Sequence, residues 1–205
     1  MQIISHRGLW SQAEEKNQRI AFERSFAAGL GTETDLRDIK GEIVISHDMP
    51  RGGEMTFKEL LELMDGRNLP LALNIKADGQ AEEIKRLLAQ FGQDNYFTFD
   101  MSVPDMVVQI KSGLKVFTGL SDILPCPVLY ESAAGIWLDS FNGDWFDEEK
   151  LASLLKDGKT VCVVSSDLHR RATDRQWALL KNFTDKANLM LCTDKALAAR
   201  QYFGI

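Results

Sequence analysis

Short runs of apolar and β-branched residues recur along the whole chain, and polar stretches separate them. Runs of this length and composition are typical of strands. The predicted strands cover residues 2–6, 32–38, 42–47, 70–76, 95–101, 114–119, 135–141, 160–166 and 188–193.

Most of the intervening segments have apolar residues spaced i, i+3, i+4 and i+7, which predicts helices with one buried face. The clearest helix follows Thr56, which forms a capping box with Glu59. Segment 120–134 contains Pro125 and Pro127 and is predicted to be a loop. Further helices are predicted near residues 19–29, 84–91, 103–112, 151–155, 177–180 and 195–203.

Strand followed by helix, repeated about eight times, predicts an α/β fold with a parallel sheet, and most simply a TIM (β/α)8 barrel. A doubly wound open sheet is the alternative, but the first strand ends in Ser5-His6-Arg7-Gly8 without a G-x-G-x-x-G fingerprint. The chain has 205 residues, close to the minimum of roughly 200 for a barrel. We therefore expect one domain, residues 1–205, with short loops.

Composition narrows the possible partners. The formal net charge is −6 and no long run of Lys or Arg occurs, so nucleic-acid binding is not expected. No apolar stretch reaches the roughly 18 residues of a membrane span, and we expect a cytoplasmic protein with a small-molecule partner. Three cysteines in apolar contexts, Cys126, Cys162 and Cys192, are expected to be reduced core thiols.

All three histidines follow predicted strands. His6 ends the first, His47 ends 42–47 and His169 follows 160–166. Since the strand ends of a parallel barrel share one rim, this placement favours a site there. Taken singly, each histidine is more simply read as a loop or capping residue.

Two strands carry further polar pairs. Glu33 and Asp35 are two residues apart, so their carboxylates project from one face and can bind a divalent cation or position a proton. Asn74 and Lys76 have the same spacing. Lys76 is either an interior cation or a strand-end lysine that reaches solvent.

Several of these residues resemble the signature of the glycerophosphodiester phosphodiesterase family. The resemblance is specific over residues 5–48 and thinner downstream, and it suggests a short bacterial member without the usual insertion. It rests on His6-Arg7-Gly8, Asn17, Ala21-Phe22, Glu33-Thr34-Asp35, Val44-Ile45-Ser46-His47-Asp48, Leu73-Asn74-Ile75-Lys76, Phe97-Thr98-Phe99-Asp100 and Leu191-Cys192-Thr193-Asp194.

That family is a TIM barrel related to bacterial phosphatidylinositol phospholipase C, so the resemblance implies the barrel and a phosphoric diester hydrolase. It also implies roles by position. His6 and His47 match the acid–base pair, and Arg7 and Lys76 match phosphate-binding residues. Glu33 and Asp35 match ligands of a divalent cation, Mg²⁺ or Ca²⁺.

Three departures from the family pattern affect the expected site. Asn74 replaces a glutamate ligand, which weakens cation binding unless Asp100 or Asp78 compensates. Lys16 replaces the glutamate that usually precedes Asn17. The insertion that commonly follows Asp48 is missing, so the site is expected to be open.

The segment from Ser165 to Arg171 has no counterpart that can be aligned. His169, Arg170 and Arg171 are expected to bind a second phosphate or an acidic sugar. The alternative is that Arg170 and Arg171 begin a solvated helix. Trp137, Phe141 and Trp145 also have two interpretations. Their rings either form a surface on which a sugar stacks or pack against neighbouring side chains.

The leading hypothesis is a metal-assisted phosphodiesterase for a small glycerophospho-type or sugar-linked diester. One alternative is a catalytically weak barrel that binds a phosphorylated ligand, with Asn74 marking the loss of the metal site. Another is a lyase or phosphotransferase that stops at a cyclic phosphate.

Overall fold

The computed structural model describes residues 1–205, which cluster into two compact units. The N-terminal unit comprises residues 5–116, and the C-terminal unit comprises residues 117–205 together with residues 1–4. The first strand contributes residues to both. The strands are β1 (Gln2–His6), β2 (Gly31–Ile39), β3 (Glu42–Ile45), β4 (Leu71–Ile75), β5 (Tyr96–Phe99), β6 (Phe117–Leu120), β7 (Gly135–Leu138), β8 (Thr160–Val164) and β9 (Leu189–Thr193).

Seven α-helices occupy the predicted helical segments, and no helix is both long and apolar enough to cross a membrane. Short 3₁₀ helices cover Ala13–Glu15, Ser166–His169 and Lys181–Phe183. The helices are α1 (Arg19–Ala27), α2 (Phe57–Met64), α3 (Ala81–Gln90), α4 (Val103–Lys111), α5 (Glu148–Lys156), α6 (Asp174–Leu180) and α7 (Ala196–Phe203).

Helix α2 begins where the sequence predicts. Thr56 Oγ1 accepts a hydrogen bond from the Glu59 backbone N–H, and the Glu59 carboxylate accepts from the Thr56 N–H. The backbone N–H groups of Thr56 and Glu59 have no partner within the helix, and these two hydrogen bonds supply one for each. Phe57, Leu60 and Met64 are buried on the inner face, and each such side chain contributes roughly 1.5–3 kcal/mol to folding.

In the N-terminal unit, β2, β4 and β5 are parallel neighbours. Their register places Asp35 opposite Asn74, and Asn74 opposite Phe99. Because side chains of paired residues project from the same face, Asp35 of β2 and Asn74 of β4 lie side by side.

The predicted strand 42–47 is shorter than expected and has the opposite direction. It is β3, which pairs antiparallel with β2 and places Ile45 opposite Leu36. Lys40 and Gly41 both have positive φ, 54° and 85°, the conformation of a two-residue hairpin turn. So tight a turn leaves no room for a crossover helix, so the expectation of a parallel strand here was wrong.

In the C-terminal unit, β6, β7, β8 and β9 are parallel and adjacent in that order. The segment between β6 and β7 contains turns and no helix, as its prolines predict. Cys162 and Cys192 are buried and form no disulfide, whereas Cys126 is exposed. The expectation of a core position for Cys126 was wrong because it lies in this loop between Pro125 and Pro127.

Candidate functional site

The N-terminal unit brings polar side chains together from the ends of β1 and β4 and the middle of β2. After His6 the chain turns sharply, with positive φ at Arg7 (57°) and Gly8 (84°). The Arg7 N–H donates to the Glu33 carbonyl at 3.0 Å, which ties this turn to β2. A Cβ at Gly8 would lie 2.8 Å from the Ala21 backbone, so the close approach of α1 requires glycine here.

Glu33 is a buried carboxyl group beside His6. Its Oε2 lies 3.8 Å from His6 Nε2, and the residue is 2% exposed. Burial, with a further contribution from the Asp35 charge, raises the Glu33 pKa well above its ordinary value, while the Arg7 charge opposes the rise. The buried position thus disfavours the charged form of Glu33, and nearby positive charge opposes this effect.

Asp35 is fully buried and is the centre of the cluster. Its Oδ2 accepts a hydrogen bond from Asn17 Nδ2 at 2.8 Å and lies 2.9 Å from Arg7 Nε. Its Oδ1 lies 3.5 Å from Lys76 Nζ. Two cationic side chains therefore flank one buried carboxyl group, and their charges offset the cost of burying it.

Asn17 is a site residue whose role the sequence motif did not specify. It is buried with φ at 61°, a conformation that asparagine tolerates better than most residues. Its Oδ1 accepts from Thr34 Oγ1 at 2.9 Å, and its N–H donates to the Arg7 carbonyl at 3.0 Å. The side chain of Asn17 thus contacts the middle of β2, and its backbone N–H holds the turn after β1.

Asn74 and Asp100 lie together at the ends of β4 and β5. Asn74 Nδ2 donates to Asp100 Oδ2 at 3.2 Å. The Asp100 charge also contributes to the raised pKa of Glu33, which indicates that it acts on the same cluster. Asp78 instead accepts from the Ser102 N–H at 3.2 Å, ahead of α4. Of the two carboxylates expected to compensate for Asn74, Asp100 is the one beside it.

The β2–β3 hairpin brings the backbone beside His47 close to the cluster. The Ser46 N–H donates to the Asp35 carbonyl at 3.0 Å. The His47 side chain is 48% exposed, and its Nδ1 lies 2.8 Å from Asp48 Oδ1. The hydrogen bond from His47 is the main cause of the lowered Asp48 pKa, and the more distant Arg7 charge adds to it.

Arg37 fixes the backbone around His47 and was not predicted as a site residue. Its Nε donates to the His47 carbonyl at 3.0 Å, and its Nη1 donates to the Lys76 carbonyl at 3.2 Å. The guanidinium fork therefore joins the two segments that carry these side chains. The signal was present in the sequence, since Arg37 continues the spacing of two from Glu33 and Asp35.

Three buried oxygen atoms of this cluster have no hydrogen-bond partner, and their chemistry shows whether a divalent cation fits there. Glu33 Oε2, Asp35 Oδ1 and Asn74 Oδ1 are all buried and accept no hydrogen bond. Hard cations prefer carboxylate and amide oxygens, so this donor set fits such an ion. No three His, Cys, Asp or Glu side chains are placed to hold a metal by themselves, and in this donor set the third oxygen is the neutral amide oxygen of Asn74.

The C-terminal unit holds the third histidine. His169 Nε2 is hydrogen-bonded to Asp139 Oδ1 at 2.6 Å, across the ends of β7 and β8. Arg170 is exposed, and its side chain forms no hydrogen bond or ion pair. The neighbouring Arg171 instead turns inward, donates to the Ser140 carbonyl and pairs with Asp144 at 3.6 Å. The sequence did not distinguish the two arginines.

No protein-family model and no curated protein sequence matches the chain, but solved structures do. Glycerophosphodiester phosphodiesterase from Agrobacterium tumefaciens is 13% identical, with 100% of both chains covered and a TM-score of 0.71. A phosphodiesterase from Oleispira antarctica, solved with the product sn-glycerol-3-phosphate, is 15% identical and covers 100% of this chain and 97% of its own, with a TM-score of 0.69.

A Ca²⁺-dependent phosphatidylinositol-specific phospholipase C from Streptomyces antibioticus is also similar. It is 11% identical, with 98% of this chain and 96% of its own covered and a TM-score of 0.55. These likenesses confirm the predicted TIM (β/α)8 fold and match the resemblance found in the motifs.

Proposed function

We propose that this chain is a phosphodiesterase that cleaves a small glycerophospho-type or sugar-linked diester at the cluster in the N-terminal unit. The observation that carries the proposal is the contact set around Asp35, in which Arg7 and Lys76 flank a buried carboxylate within reach of the His6–Glu33 pair. The printed product of the Oleispira antarctica structure, sn-glycerol-3-phosphate, supports this substrate class.

Arg7 and Lys76 are assigned to the phosphate. A phosphodiester carries one negative charge, and charge on its non-bridging oxygens grows during displacement. Cations that are already positioned stabilise that developing charge more than they stabilise the ground state. Their attachment to Asp35 sets their positions before the substrate arrives.

His6 and His47 are assigned to proton transfer. One removes the proton of the nucleophile, and the other protonates the leaving alkoxide. His6 lies beside a buried carboxyl group and His47 beside an exposed one, so the two imidazoles have unlike surroundings. Such a difference is what a pair with opposite roles requires.

A divalent cation, Mg²⁺ or Ca²⁺, is part of the proposal. Glu33, Asp35 and Asn74 would hold it, with Asp100 beside them, and when bound it would supply Lewis-acid stabilisation of the phosphoryl oxygens. Added positive charge would favour the ionised form of Glu33, which burial disfavours in its absence.

A second candidate function is the binding of a phosphorylated ligand without turnover. The pairing of Asp35 with Arg7 and Lys76 favours it, because those two cations already neutralise the carboxylate. A third outcome, release of a cyclic phosphate, follows if a substrate hydroxyl is the nucleophile. His169 and Arg170, which the sequence predicts to bind substrate, lie in the C-terminal unit and have no part in the cleavage proposed here.

The proposal is tested by ³¹P NMR of a diester panel that includes glycerophosphodiesters and sugar-linked diesters. Purified protein with Mg²⁺ or Ca²⁺ should release a phosphomonoester, and chelator should stop the release. Asp35→Asn is the inactive control. A cyclic product identifies the lyase reaction. Tight binding of glycerol phosphate with no turnover of any diester would support the binding protein instead.

A further inference from the structure

The ends of β7 and β8 in the C-terminal unit carry a second polar cluster that the proposed function does not use. Asp139 follows β7 directly and is 8% exposed. Its Oδ1 accepts two hydrogen bonds, from His169 Nε2 at 2.6 Å and from the Ser140 N–H at 2.7 Å. Its Oδ2 accepts none. A nearly buried carboxylate therefore keeps one oxygen available.

His169 is held in a single orientation with one free nitrogen. The bond to Asp139 uses Nε2, and Nδ1 has no partner. The imidazole is 22% exposed. Asp139 and His169 are hydrogen-bonded to each other. Each keeps one side-chain atom without a partner, Oδ2 of Asp139 and Nδ1 of His169.

Phe141 adds an aromatic surface beside them. Its ring centroid lies 5.2 Å from that of His169, and the residue is 45% exposed. Asp122 accepts hydrogen bonds from the Phe141 N–H and from the backbone and side chain of Asn142, each at 2.8 Å. An exposed phenyl ring is costly to leave in water, and here its loop is fixed in that position by three hydrogen bonds.

The formal charges of the arginines and carboxylates around this cluster are equal and opposite. The Asp144 carboxylate lies 3.6 Å from Arg171 and 3.8 Å from Arg175. The groups counted are Arg170, Arg171 and Arg175 against Asp122, Asp139 and Asp144. Ser140 is 1% exposed and its Oγ has no hydrogen-bond partner. A site without surplus positive charge has little electrostatic attraction for a free anion, whereas unused acceptors beside an aromatic ring suit an uncharged ligand with several hydroxyl groups.

We propose that Asp139, His169 and Phe141 form a binding site for a neutral sugar ring, with hydroxyl groups on Asp139 Oδ2 and His169 Nδ1 and the C–H face of the ring against Phe141. This site is contained in the C-terminal unit and does not depend on phosphodiester cleavage. The sequence predicts an anionic ligand at His169, whereas the ligand proposed here is uncharged.

The test is an NMR titration of the full chain with methyl glucopyranoside, methyl N-acetylglucosaminide and inorganic phosphate. A sugar should shift the resonances of His169 and Phe141 in a saturable way, and phosphate should not. Phe141→Leu keeps an apolar side chain without the aromatic face and should weaken sugar binding about tenfold, which corresponds to about 1.4 kcal/mol. Ile123→Ala, at an exposed apolar residue of the same unit, should leave binding unchanged.

Three results would overturn the proposal: shifts with phosphate but not with sugar, sugar affinity unchanged in Phe141→Leu, or no shift with either sugar up to its solubility limit. Because the readout is binding, it remains interpretable even if no diester is cleaved. Asp139→Asn supplies a second check, since it should abolish the sugar shifts while the dispersion of the remaining resonances reports an intact fold.

Discussion

Asn17 Nδ2 donates to Asp35 Oδ2 at 2.8 Å, the same oxygen that lies 2.9 Å from Arg7 Nε. The two groups come from the segment that follows β1, and the carboxylate comes from β2. Asn17 is itself oriented by the hydrogen bond that its Oδ1 accepts from Thr34 Oγ1, so it directs its Nδ2 at Asp35. Its Oδ1 is left toward Lys76 and the remaining polar groups of the cluster.

Replacement of Asn17 should show how much this arrangement contributes to stability. Asn17→Gly removes the amide bonds but tolerates the positive φ, and it should lower the free energy of unfolding by about 1–3 kcal/mol. Asn17→Ala should cost about 1 kcal/mol more, because Ala is strained in the left-handed conformation. Urea unfolding measures both. An alanine variant as stable as the glycine variant would show that the left-handed conformation at residue 17 is not strained.

Arg37 should affect turnover more than binding. Arg37→Met removes the donors to the His47 and Lys76 carbonyls, so it should lower kcat by about 10–100-fold with little change in KM, as expected when a reacting group is displaced by a fraction of an ångström to an ångström. Arg37→Lys should recover part of the loss. Arg86→Met, at an exposed arginine of α3, is the matched control. Equal kcat in Arg37→Met and wild type would show that Arg37 does not position His47 for the reaction.

The loop that presents Asn17 has a pH-dependent component. Glu15 is paired with Arg24 at 2.6 Å, and the hydrogen bond from Arg24 is the main cause that lowers the Glu15 pKa to about 2, from 4.5. The lowered pKa means that this stabilisation is present above about pH 4.5 and is lost as the pH falls toward 2. Thermal unfolding of Glu15→Gln should therefore differ from wild type at pH 7, and the difference should shrink below pH 4.5. Glu14→Gln, at the neighbouring residue, should show no such trend.

Asn74 should set the affinity for a divalent cation. Asn74→Glu adds a charged oxygen ligand and should strengthen Mg²⁺ or Ca²⁺ binding by about tenfold or more, since affinity rises with the number of charged ligands. Calorimetry and the metal-dependent shift in Tm measure it. Gln2→Glu adds the same charge at the start of β1 and should have no effect. Equal cation affinity in Asn74→Glu and wild type would argue that the ion does not contact this position.

The sequence predicts the fold well because strand and helix positions depend on local periodicity. The Thr56–Glu59 capping box and the buried Leu60 are both visible in the pattern. The direction of β3 is not visible in the same way, since it depends on the positive φ of Lys40 and Gly41 in a two-residue turn. Apolar periodicity carries no information on such a turn, whereas the Lys-Gly pair itself was a usable signal.

The site is only partly predictable. His6, Glu33 and Asp35 could be assigned from motif and spacing, and the structure brings them together. The contact between Asp139 and His169, 30 residues apart, depends on the pairing of β7 with β8 and has no local signature. The choice between Arg170 and Arg171 depends on the left-handed backbone of Arg170, φ 58°, which turns one side chain outward and leaves the other to face Ser140.

The central claim, acid–base cleavage of a diester by His6 and His47, is tested most directly by the leaving-group dependence of two variants. His6→Gln and His47→Gln should each lower kcat by about 10²–10⁴-fold on an alkyl diester. On a nitrophenyl diester, whose leaving group needs no proton, the variant that lacks the acid should recover most of its rate and the other should not. Equally negligible rates for wild type and both variants on every diester, with glycerol phosphate still bound tightly, would contradict the claim.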